Sequence, residues 1–288
     1  MLRTFLIAAV VPLLCNAQIT LNGAIDIHAH ADPDGTARSI DAIDLAKLAK
    51  SRGMRAIVLK NHYEPTASLA YIVRKEVPGI EVFGGISLDL TVGGVNPAAV
   101  EWMTKVKGGY GRIVWMPTFD SEFNASKEGR PFASVAKDGK LLPATIQVIS
   151  IVAKNNLVLE TGHSSPAEAL LIIQEAKRQG VANVVVTHAM ATQVGMSIDE
   201  CKQAAALGAF IEFVWVRPGT PRFTEMANAI REIGPQRVIL SSDLGQASNP
   251  LHPDGLLAVY QALNASGFSQ AEIDLMAKSN PARVLGLK

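Results

Sequence analysis

The stretch AIDIHAH, residues 24–30, decides the fold: a short apolar run that ends in two histidines two positions apart. Other runs close in the same manner. RAIVLKNH (55–62) ends on His62, NLVLETGH (156–163) ends on His163, and NVVVTHA (183–189) carries His188. A further run, RVILSSD (237–243), ends on Asp243. Five of the six histidines thus stand at or just past the ends of strand-like runs. Packing gives no reason to gather imidazole and carboxylate at strand ends across a whole chain, whereas ligation of a metal ion does.

Outward from these runs the chain alternates between two periodicities. Val- and Ile-rich runs near 24–30, 55–60, 81–87, 111–116, 157–162, 183–188, 209–215 and 237–242 read as strands. Helical spacing fills 39–52, 66–77, 97–107, 143–155, 166–179, 197–207, 222–233 and 253–265. NPAAV and SPAEA offer Asn96 and Ser165 as N-caps with proline in the first turn, and Gly53, Gly180 and Gly208 follow their helices as C-caps. Eight strand–helix repeats favour parallel strands with right-handed crossovers. Neither G-x-G-x-x-G nor G-x-x-x-x-G-K is present, which argues against an open nucleotide-binding sheet. The expected fold is α/β, a single TIM-type (β/α)8 barrel over residues 18–288.

One connection breaks the rhythm. PTFDSEFNASKEGRPFASVAKDGKLLP follows the fourth strand, and Asp138-Gly139 within it predicts an inserted β-hairpin. Its length and its place on the C-terminal face suggest a lid over the site.

At 288 residues and 48% hydrophobic the chain can bury a large core. A formal charge of +1 and the lack of a basic run argue against nucleic acid as a partner and leave small molecules as the expected substrates. MLRTFLIAAVVPLLCNAQ begins with Arg3, an apolar core from Phe5 to Leu14 and the site Cys15-Asn16-Ala17, the pattern of a secretory signal peptide over residues 1–17. The expectation is an exported protein, periplasmic or secreted, with no membrane span in the mature chain. Self-association is left open. Cys201, in SIDECKQAAALG, reads as a small buried apolar residue rather than a nucleophile.

In a barrel the C-terminal strand ends meet on one rim, so the five endings project to one place. His28 and His30 share a strand face because the side-chain period is two, and the same parity sets Asp26 below them. Imidazole and carboxylate together suit zinc first, or another divalent ion such as manganese, nickel or iron. The pattern resembles the amidohydrolase superfamily of metal-dependent (β/α)8 hydrolases, over nearly the whole chain beyond residue 20. His-x-His at His28 and His30, then His163, His188 and Asp243, stand where that superfamily keeps its ligands. SNPARVLGL (279–287) looks like its closing segment. The resemblance implies a water activated by the ion, with Asp243 as general base and then proton donor, and His188 either as a metal ligand or as a catalytic group on the substrate.

The chain also departs from that pattern. The superfamily's binuclear members place a carboxylated lysine or a glutamate at the end of the fourth strand, but GRIVWMPT offers Trp115, Met116 and Thr118. One ion is therefore expected rather than two. Lys60 could instead carry a bridging carbamate or bind a substrate carboxylate, and Glu160 could reach the metal. His62 reads as a substrate contact or a further ligand, Trp115 and Phe119 as an apolar wall, and Arg217 as a clamp on an anionic group. His252 falls outside the ligand set.

The function expected from these residues is metal-dependent hydrolysis of a small amide, cyclic amide, lactone or ester. Two other readings share the site: a metal-dependent decarboxylase, with Lys60 and Arg217 on the substrate carboxylate, and an exported ligand-binding protein without turnover. The intact Asp243 argues against the last.

Overall fold

The computed structural model describes residues 18–288. The signal-peptide reading of residues 1–17, Cys15 included, lies outside the described residues.

Eight parallel strands form one sheet in chain order: Ile25–Ala29, Ala56–Leu59, Glu81–Ser87, Gly111–Trp115, Val158–Glu160, Asn183–Val186, Phe210–Phe213 and Val238–Leu240. A helix follows each strand, from Ala42–Ser51 after the first to His252–Ala265 after the eighth. Their starts are fixed locally. Asn96 accepts from Ala98 N and Ala99 N ahead of Pro97, and Ser165 forms a capping box with Glu168 ahead of Pro166. Gly180 leaves its helix at a φ of 76°, where a side chain would be strained.

The core has two compartments, as strands with both faces covered require. Inward residues fill the barrel: Ile27, Val58, Phe83, Ile113, Val158, Val185, Phe210 and Ile239, closed at one end by Val284 and Leu285 of the last helix. Arg55, just before the second strand, binds the backbone oxygen of Lys288, which puts this plug at the N-terminal end of the strands. The alternate residues, such as Leu59, Val82, Val114, Leu159 and Ile211, pack outward against the helices.

The first and eighth strands close the ring only at the mouth. Ala29 bridges Leu244, His30 N donates to Leu244 O at 2.9 Å, and Asp243 N donates to His28 O at 2.8 Å. The first strand also bulges there: Asp26 pairs with Ile57 but Ala29 with Leu59, so one extra residue is taken up between them. The bulge corrects the expected parity. Ile25 and Ile27 face the barrel interior, and so do His28 and His30 beyond the bulge. Asp26 therefore does not lie below the histidines. It caps the seam, accepting from His28 N at 3.1 Å and Ser242 N at 3.0 Å. Its charge reaches the Tyr260 hydroxyl in the helix layer, which burial first and then Asp26 push up.

In the long connection, Asp138 and Gly139 take φ values of 50° and 71° between the paired strands Ala136–Lys137 and Lys140–Leu141. That is the left-handed turn a two-residue hairpin needs. The hairpin packs beside the helix Pro166–Arg178. What the connection brings to the mouth is its root, Thr118 and Phe119. Cys201 is buried on the helix Ile198–Ala206, and burial pushes its thiol up to about 12. Among the described residues no helix is long and apolar enough to cross a membrane.

Candidate metal centre

The five strand endings meet. His28 Nε2 and His30 Nε2 lie 3.1 and 3.0 Å from the same atom, Asp243 Oδ1, and His163 Nε2 lies 3.2 Å from His188 Nε2. The rings of His28 and His30 stand 5.3 Å apart between centroids, those of His28 and His188 5.8 Å, and those of His163 and His188 4.9 Å. Ligands held at zinc distances in a tetrahedron are separated from one another by roughly 3.3 Å, so these spacings match the edges of such a shell.

The donor atoms themselves argue for an ion. His28 Nε2 approaches Asp243 at contact distance yet makes no hydrogen bond, and His188 Nδ1 and Glu160 Oε1 are also buried without partners. Buried polar atoms are seldom left so. His28, His30 and Asp243 form one group that could hold a metal, and His28, Glu160 and Glu212 form a second that shares His28.

Two of the candidate ligands sit on strained backbone. Among the described residues only four outside glycine take positive φ, and His188 at 25° and Asp243 at 50° are two of them. Such conformations persist where surrounding structure holds them. His188 N donates to Glu212 at 2.9 Å, and Asp243 N is held by His28 O.

Residues 23–212 match the sequence profile of a family of unknown function, DUF6282. The chain belongs to DUF6282. The matched span includes His28, His30, Lys60, His62, His163, His188 and Glu212 and stops before Asp243. No curated protein matches the sequence. Among solved structures the chain is similar to an amidohydrolase from Pseudomonas aeruginosa, at 14% identity and a TM-score of 0.63 over 93% of this chain and 95% of that one. An amidohydrolase from Burkholderia multivorans with bound zinc aligns at 15% identity and a TM-score of 0.64, over 92% of this chain and 99% of that one. A mutant PTE-like lactonase from Deinococcus radiodurans aligns at 14% and 0.62, over 92% and 96%. The DUF6282 chain therefore shares the barrel fold of these three structures.

Glu212 is the residue this DUF6282 chain's sequence conceals. It sits inside AFIEFVW with its side chain turned inward like Phe210 and contacts His28 Nδ1 through both oxygens at 3.2 and 3.3 Å. A carboxylate behind a ligating imidazole fixes its tautomer and orientation. The only sign in the sequence is a lone acid in an otherwise apolar strand.

Lys60 is buried with no ion pair among the described residues, its Nζ 5.6 Å from the Trp115 ring centre. Burial pulls its pKa down against the charges of Asp243, Glu160, Asp89 and Glu212. Trp115 is fully buried beneath the centre, 6.1 Å from the His28 ring. Phe119 stacks on His62 at 3.7 Å. Arg217 is exposed and lines a cavity of about 490 Å³ that also reaches His188, Glu212 and Asp243. His252, outside the ligand set, supports it by bonding His30 O through Nε2 at 2.9 Å.

Burial dominates the electrostatics. It holds His30 and His163 well below the usual imidazole range and His188 at about 4, so all three are neutral and ready to ligate. Burial, and then the neighbouring Glu212 charge, push Glu160 up to about 8. Asp243 goes the other way: burial raises it, but the neighbouring His28 charge and the hydrogen bond from His30 hold it well below the carboxylate range.

Proposed function

We propose that this chain is a metal-dependent hydrolase acting on a small amide, cyclic amide, lactone or ester. The observation that carries the reading is the convergence of His28 and His30 on Asp243 Oδ1 beside the paired His163 and His188, next to an open cavity. His28, His30, His163 and Asp243 would hold one divalent ion, zinc first among the candidates, with His188 shared between ion and substrate. Bound there, the ion would supply Lewis acidity to the electrophile and to the attacking water.

The remaining chemistry belongs to the chain. The Asp243 side chain is 26% exposed, far more than its histidine partners, and it borders the cavity. It can therefore take a proton from water on the open side and return it to the leaving group. His188, kept neutral by burial, can polarise the substrate oxygen. Met190, Trp215 and Val216 give the cavity an apolar wall, and Arg217 lies at its edge for an anionic substituent. Export rests on the leader-like residues 1–17 and belongs to the same proposal.

Turnover in ¹⁸O-labelled water tests the reaction class. A hydrolase puts one labelled oxygen into the product, and Asp243→Asn abolishes that incorporation even with the ion supplied in excess. Release of carbon dioxide without incorporation would make the protein a decarboxylase instead.

A further inference from the structure

His62 borders this centre without a task in the hydrolysis above. Its ring is clamped on both faces, against Phe119 at 3.7 Å and 12° and against His30 at 4.9 Å and 21°. Its Nδ1 lies 2.7 Å from Thr118 Oγ1, and that hydroxyl makes a short hydrogen bond to Asp89 Oδ2. Asp89 is fully buried, and its other oxygen accepts the backbone N–H groups of Thr118 at 2.7 Å and Asp120 at 3.0 Å. His62, Asp89 and Thr118 lie just beyond the ends of the second, third and fourth strands.

Donor and acceptor roles then run in one direction. Burial raises the Asp89 pKa, and the Thr118 hydroxyl and the two backbone donors oppose that rise; to the Asp89 anion, which has no proton to give, the Thr118 hydroxyl donates. The Thr118 oxygen has only lone pairs left for His62, and Nδ1 must carry the imidazole proton. Nε2 is left with a lone pair, and no group among the described residues hydrogen-bonds it. His62, like His163 and His188, belongs to neither group of ligand atoms, and its ring lies 6.3 Å from that of His163.

We propose that His62 is a fixed hydrogen-bond acceptor for the substrate and not a metal ligand: Asp89 and Thr118 hold its proton on Nδ1, and Nε2 receives an N–H or O–H of the molecule bound at the centre. Thr118 and Asp89 are positioning residues that act through the ring. The substrate class narrows to amides, cyclic amides and hydroxylated lactones with a donor near the scissile group, ahead of simple esters. This substrate role rests on the hydrolase reading; the tautomer does not.

Long-range ¹⁵N–¹H spectra of the zinc-loaded chain, labelled at histidine, test the tautomer at neutral pH. The expected His62 pattern is a protonated Nδ1 and an unprotonated, metal-free Nε2. A protonated Nε2, or an Nε2 signal that moves to a metal-bound position on zinc loading, overturns the proposal. Thr118→Val should replace the single pattern by a mixture of tautomers with zinc content unchanged; an unaltered pattern contradicts the relay.

Calorimetric binding of acetohydroxamate, which carries donors, and of acetate, which does not, tests the acceptor role. His62→Leu should weaken acetohydroxamate by at least about tenfold, the scale of one hydrogen bond, and acetate by less than about twofold. His62→Gln, which keeps an acceptor, should recover most of the loss. Equal weakening of both ligands with zinc retained overturns the acceptor role. If no substrate is hydrolysed while the spectra and the hydroxamate results hold, the hydrolase reading falls and the His62 assignment stands.

Discussion

His28 Nε2 and Asp243 Oδ1 face each other 3.1 Å apart across the seam between the first and last strands, close enough to bond yet not aligned to do so. The two residues are brought together by the same contacts that close the barrel, Asp243 N to His28 O and the Asp26 carboxylate to Ser242 N. Ring closure and assembly of the site are thus one event. An ion joining these atoms would also staple the seam.

Removal of the ion should therefore destabilise the fold. With free zinc at about 100 times its dissociation constant, linkage contributes about 2.7 kcal/mol. A chelator should lower the thermal midpoint by several degrees, reversibly on adding zinc. A midpoint indifferent to chelation and reloading contradicts this coupling.

Glu212 should govern affinity through His28. Glu212→Gln keeps the shape but removes the anion behind Nδ1 and should weaken the ion by about 10- to 100-fold. Glu212→Ala also strands the His188 N–H and should cost about 1–3 kcal/mol of stability. Competition with a chromogenic chelator measures the first effect and urea unfolding the second.

Ion uptake should release a proton. In the metal-free chain burial and Lys60 push the His28 pKa down, but Asp243 and Glu212 reverse this and raise it to about 10. The charged pair stabilises the metal-free fold fully below pH 6.5 and loses that contribution as pH rises through 10. Ligation needs the neutral ring, so at pH 8 uptake of the ion should expel about one proton. Calorimetry in two buffers of different ionisation enthalpy gives the number, and a value near zero would contradict the His28 assignment.

Cys201 should be inert in the folded protein. Burial raises its thiol to about 12, so the thiolate is scarce at pH 8 and sterically shielded. Iodoacetamide should label the Cys201 peptide only after denaturation, as peptide mapping by mass spectrometry can show.

The barrel was legible because its signals are local. Each strand is a short apolar run, several helix starts carry their own cap, and the chemistry-bearing residues sit at the run ends where the fold projects them to one rim. The Asp138-Gly139 turn was legible for the same reason. Glu212 was not, because its partner His28 lies 184 residues away and an acid within a strand carries no sign of what it faces. The bulge between Asp26 and Ala29 was hidden as well: strict alternation put Asp26 under the histidines, and one extra residue turned it to the seam. The Asp89–Thr118–His62 chain joins three strand ends, and none of the three segments announces the others.

His28, His30, His163 and Asp243 are proposed to hold one divalent ion. Elemental analysis of the purified chain, loaded in turn with zinc, manganese, nickel and iron and then desalted, tests it most directly. About one tightly held ion per chain is expected for at least one of these metals, lost in His28→Ala and in His163→Ala. A wild-type chain that retains none of them, or alanine variants that retain as much as wild type, would contradict it.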